Sequence, residues 1–119
     1  MNRNSIPAAG ELERNARFYS VTTLASGEYD SEDERTFLFS RRCKVEPVGS
    51  GIFWNGIQVD ESVTHRIWVR YEPGRTRPQD FPKMTELEIE GRRYQVKRLT
   101  DVNGAHLFTQ IEAEELTDA

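Results

Sequence analysis

Several things are scarce in this 119-residue sequence. It has one cysteine and two histidines, and no apolar run near the ~20 residues that cross a bilayer as a helix. The lone Cys43 cannot close an internal disulfide, and the N-terminus carries no charged-then-apolar signal segment. A reducing, intracellular compartment is therefore expected, without a membrane partner. None of G-x-x-x-x-G-K, G-x-G-x-x-G or G-x-S-x-G occurs, so phosphate cradles and nucleophile elbows have no support. His65 and His106 lack any spacing that puts two ligands on one surface, so no metal site and no cofactor is expected. Sixteen basic residues against twenty acidic ones give a formal charge of −4, which disfavours free-standing attraction to a phosphate backbone.

What is present suits one modest core. Hydrophobic residues make up 36% and charged residues 30%, leaving much surface for solvent or partners. Residues 1–10 (MNRNSIPAAG) are small, polar and aperiodic, and are read as a flexible N-terminal arm ahead of a single domain over 11–119. Aromatic and β-branched residues at 16–25 (ARFYSVTTLA) predict a strand, and the acidic stretch 26–34 a loop. The next strand, from Arg35, puts Phe37, Phe39, Arg41, Cys43 and Val45 on one face. A long loop at 49–60 follows, with Ile52, Phe53, Trp54 and Ile57 clustered among glycines. Residues 62–73 (SVTHRIWVRYEP) alternate cleanly, with Ile67 and Val69 opposite Arg66, Trp68 and Arg70. Two hairpins close the chain, turning at Glu90-Gly91 and within DVNG at 101–104, and a frayed turn is expected near 112–118. The expected architecture is all-β, a small six-stranded antiparallel barrel with a long loop between its second and third strands.

Few residues suggest chemistry. Cys43 reads as a small buried hydrophobe rather than a nucleophile, and His65, on the parity of Ile67 and Val69, as a core or rim histidine. The carboxylates lie in loop or outward positions, where nothing lifts a pKa for general acid work. No catalytic residue is assigned and no enzyme is expected. Basic residues stripe two strands, Arg66 with Arg70 and Arg92, Arg93, Lys97 with Arg98, and ion pairing with acidic strands explains them better than DNA binding. The alternative is an OB-like barrel for single-stranded nucleic acid, which would need Trp68, between Arg66 and Arg70, as an exposed stacking platform.

The order of features resembles the phage head-tail joining family, also described as head-tail adaptors or head-closure stopper proteins. The likeness rests on an AGELERNARFYS start, the strand from Thr64 to Tyr71 with His65, Arg66 and Arg70 inside it, and the segment from Gly91 through Tyr94 to Asp101. It spans about Ala9 to Leu116; the stretch 49–60 and the acidic 26–34 depart from it. The resemblance implies a virion structural protein at the head-tail interface, made in the bacterial host cytoplasm. Its partners would be itself, as a hexameric or dodecameric ring, a portal-proximal connector or adaptor, and a tail terminator or tail protein. It would retain packaged double-stranded DNA passing through the lumen and offer the tail an attachment surface. Ile52, Phe53, Trp54 and Ile57 would then sit in the lumen or between subunits, the equal alternative being a loop folded back as a lid on its own core.

Overall fold

The computed structural model describes residues 7, 9–25, 31–48, 53–54, 57–58 and 63–116. Its strands in chain order are β1 (Arg14–Ala25), β2 (Ser31–Pro47), β3 (Phe53–Trp54), β4 (Ile57–Gln58), β5 (His65–Arg70), β6 (Thr85–Ile89), β7 (Arg92–Asp101) and β8 (Phe108–Leu116). Six form one antiparallel sheet ordered β1-β2-β5-β8-β7-β6, and β6 pairs again with β1, so the sheet closes on itself. No α-helix occurs among the described residues; the connections use 3-10 turns at Ala9–Glu11, Pro78–Asp80 and Val102–Gly104.

Alternation builds the interior. Ala16 and Phe18 of β1, Cys43 of β2, Ile67 and Val69 of β5, Leu87 and Ile89 of β6, Tyr94 of β7, and Ile111 and Ala113 of β8 make one buried cluster. Each large aliphatic or aromatic member contributes about 1.5–3 kcal/mol relative to an exposed position. The opposite parity of β5 is covered as well: Trp68 packs outside with Leu12, Val102 and Phe108. Pro7 is buried and Ala9–Glu11 forms a turn, while residues 1–6 and 8 of the expected arm lie outside the described residues.

Two bulges correct the simple alternation. Phe18 opposes Phe39 whereas Tyr19 opposes Phe37, so Leu38 is the extra residue and Phe37 turns outward. Phe37 is 49% exposed and meets Tyr19 edge-on at 5.7 Å; it does not share the inner face with Phe39 as strict alternation predicts. In β7, Val96 opposes Ala113 and Arg98 opposes Glu112, which leaves Lys97 over. The expected acidic loop is partly strand, because Ser31–Glu34 pair with Thr22–Ala25. Where a frayed C-terminal turn is expected, residues 112–116 are strand, since β8 runs to Leu116, and 117–118 lie outside the described residues. Within the long loop, Phe53–Trp54 pairs with Ile57–Gln58 as a short ribbon.

The Glu90-Gly91 turn falls where the sequence puts it. Both residues have positive φ, 52° and 80°, as the tight reversal between β6 and β7 demands.

Candidate functional site

The polar residues singled out in the sequence collect at the two ends of the closed sheet. At one end β1, β5 and β7 begin and β2, β6 and β8 finish. Here Thr64 ties strand starts to strand ends: its hydroxyl accepts from the Glu115 N–H at 2.7 Å, and its N–H donates to the Ala113 carbonyl at 2.9 Å. His65 follows, with Nδ1 2.9 Å from Thr64 Oγ1 and its ring edge-on to Tyr94 at 5.0 Å. Burial is the main cause that lowers the His65 pKa, opposed by the Glu115 carboxylate and reinforced by Arg92. The same desolvation raises the Tyr94 phenol. A cavity of about 520 Å³ opens here, lined by His65 and Tyr94 together with Arg14, Glu90 and Arg92. Arg14 and Glu90 pair across its rim.

The opposite end is covered by the connection between β5 and β6. Thr76 is fully buried, and its hydroxyl donates to the Arg70 carbonyl at 2.5 Å and accepts from the Glu72 N–H at 2.7 Å. The Thr109 hydroxyl donates to the Thr76 carbonyl at 2.6 Å. Phe81 packs edge-on to Phe18 at 5.8 Å, which seats the connection on the core. Arg41 keeps the inward parity of Phe39 and Cys43 and extends to this end, where its guanidinium donates to both Glu72 carboxylate oxygens at 2.6 and 3.2 Å. Nearby, Tyr71 meets the His106 ring edge-on at 4.8 Å, and Asp101 accepts from the His106 N–H at 2.9 Å. His106 thus joins Tyr71 to Asp101, a link that sequence spacing did not reveal; its positive φ of 58° places it in the turn.

The motif residues therefore brace the fold. Thr64, His65, Tyr94 and the turn residue Gly91 gather at one end, Tyr71 and Asp101 at the other, and Arg70 lies over the Phe108 ring at 5.7 Å. Arg66 is half-buried on the outer face of β5, its Nε unpartnered among the described residues. Trp68 is only 5% exposed, with Lys44 Nζ 5.3 Å from its ring, so it offers no stacking platform. Ile52 lies outside the described residues, and for Phe53, Trp54 and Ile57 only the backbone pairing is described.

The basic stripe of β7 faces carboxylates of the same domain. Arg92 approaches Glu115 at 3.9 Å, Lys97 Glu114 at 3.3 Å and Arg98 Glu112 at 3.7 Å, while Arg93 and Arg35 converge on the buried Glu86 at 3.1 and 2.8 Å. Each cation of the stripe thus has a carboxylate within 4 Å, while the Arg92 and Arg98 side chains stay 66% exposed. Burial removes Cys43 from chemistry, since its thiol is fully buried and its pKa is pushed up to about 12. Among the described residues no group of three or more His, Cys, Asp or Glu side chains is placed to hold a metal ion.

Six antiparallel strands in one sheet that closes on itself define a small all-β protein. More particularly, a model of the phage head completion protein family matches residues 7–116, and the chain belongs to that family. Membership gives it a structural role in the phage head, among other virion proteins. No curated protein matches the sequence.

Proposed function

We propose that this head completion protein is a connector subunit, assembling as a ring below the portal, retaining packaged DNA and presenting the surface to which the tail attaches. The family match over nearly the whole chain carries the reading. The body suits it: a barrel with both ends braced by hydrogen bonds and ion pairs is a rigid unit that repeats around an axis. The charge of −4, with the β7 cations already paired, favours a lumen that lets DNA pass without holding its phosphates. The stretch around Ile52, Phe53, Trp54 and Ile57 is the segment we assign to the lumen or to the contact between subunits. No catalytic step belongs to this role.

Disruption of the gene in its phage or prophage, with electron microscopy of the induced lysate beside a complemented control, tests the reading. Full-sized heads that have lost DNA, next to separate complete tails, are the expected result. Normal infectious particles would overturn it.

A further inference from the structure

The pair β1 and β2 extends beyond the closed sheet. On its far side β1 is paired with β6 only through Ala16–Ser20, with one further bond from the Val21 N–H to the Met84 carbonyl at 3.0 Å. On its far side β2 is paired with β5 only through Cys43–Pro47. Among the described residues, Thr22–Ala25 and Ser31–Glu34 therefore have each other as their only strand partners, in four consecutive pairs. The projection is a two-stranded ribbon with an open edge on either side. Such a ribbon is marginal alone, and an open strand edge is a template for pairing with another chain.

The edges differ in charge. Exposed Asp33 and Glu34 lie on β2, whereas exposed Thr22 and Thr23 lie on β1, with exposed Lys83 just beyond the bond that ends the β1–β6 contact. At the base of each edge sits an exposed apolar side chain, Phe37 at 49% on the β2 side and Met84 at 40% on the β1 side. One copy thus carries an acidic edge with an apolar foot, and an uncharged edge with a basic and apolar foot.

We infer that the β2 edge Ser31–Glu34 of one copy pairs antiparallel with the β1 edge Thr22–Ala25 of the next, so that the projecting hairpins form a continuous sheet around the ring. The occupant is a second copy because one hairpin carries both an acidic edge, whose open side runs on to Arg42, and an uncharged edge with the cation Lys83 at its foot. A different protein on one edge would leave the other open, whereas head-to-tail pairing of like copies satisfies both and closes by symmetry. Phe37 of one copy then abuts Met84 of its neighbour. This rests on the ring reading of the preceding subsection.

Chains with one added cysteine test it inside phage particles. Cells producing the phage express Thr22→Cys and Glu34→Cys chains, separately or together, and purified heads are treated with a bismaleimide reaching about 8 Å, which covers opposite and diagonal positions of a strand pair. Cys43 is buried and gives no background. Mixed particles are expected to give covalent dimer at least tenfold above either variant alone. Dimer from one variant alone would mean a two-fold contact and overturn the inference. Heads carrying many copies per particle but no mixed dimer, in this pair and in Thr23→Cys with Asp33→Cys, would overturn the edge pairing and leave the ring standing. Fewer than two copies per head would overturn both.

Discussion

β1 and β2 are built differently along their length, and the halves hold together for different reasons. Inside the closed sheet Ala16, Phe18 and Cys43 are fully buried, and a substitution is felt through the core. Beyond Val21, Thr22 and Thr23 face Glu34 and Asp33 in strand pairs that are open to solvent, joined by a hydrogen bond from Thr23 Oγ1 to Asp33 at 3.1 Å. Burial stabilises the first half, whereas Thr22, Thr23, Asp33 and Glu34 of the second are exposed and held in strand pairs. One hairpin thus spans a part that maintains the domain and a part available to partners.

The sharpest way to break that contrast is to truncate one residue in each half. Phe18→Ala removes a fully buried ring that meets Phe39 and Phe81 at 4.9 and 5.8 Å, and is expected to lower unfolding stability by about 3–5 kcal/mol. Thr22→Ala, exposed on the projecting edge, is expected to change stability by no more than about 0.5 kcal/mol. Urea denaturation of both variants measures the difference. Equal losses would mean the projection shares the cooperative core.

Next in size is the cover over one end. Thr76→Val keeps shape but deprives the Glu72 N–H of its acceptor and the Arg70 carbonyl of its donor, at an expected cost of about 1–3 kcal/mol. The same substitution at the exposed Thr23 should cost far less. If urea unfolding found the two alike, the buried hydroxyl would not be holding the connection.

Much of this division was legible in the sequence, and the failures have physical causes. Clean alternation located Ile67 and Val69 inside, and the Glu90-Gly91 pair located a turn, because period two and positive φ are local properties. The bulge at Leu38 was not legible: a register shift depends on the opposing strand, so Phe37 was assigned to the wrong face. The acidic residues of Ser31–Glu34 suggested a loop by composition, yet pairing with Thr22–Ala25 extends them as strand. For Trp68 between two arginines the sequence favours packing over an open platform, but not what packs on it: the cover is Leu12, Val102 and Phe108, distant in sequence. The bracing contacts of Thr64 and Tyr71 were not legible either, because they depend on partners such as Glu115 and His106.

A smaller effect belongs to the turn that closes the body opposite the projection. Gly91 has φ of 80° with open space where a side chain would begin, so Gly91→Ala meets no clash and tests backbone preference alone. The expected loss is about 1–2 kcal/mol, near the cost of left-handed backbone for an L-residue. Thermal unfolding would show it, and an unchanged midpoint would mean the turn relaxes freely.

The smallest expected effect is a pH dependence confined to the braced end. Burial lowers the His65 pKa below 6.5, with Arg92 helping and Glu115 opposing, while Thr64 and Tyr94 complete its surroundings. Because the folded value lies below the unfolded one, the unfolded chain binds more protons in the interval between them, and stability rises with pH there. The contribution is complete above pH 6.5 and is lost as pH falls through the folded value. His65→Gln removes the titrating ring, so its urea midpoint is expected to fall less than wild type on acidification from neutral pH to about pH 5. Identical falls would show that His65 is equally protonated in both states and that the loss comes from carboxylates alone. The projecting hairpin supplies the internal control: Asp33→Asn removes an exposed charge there and should leave the His65-dependent part of the profile unchanged.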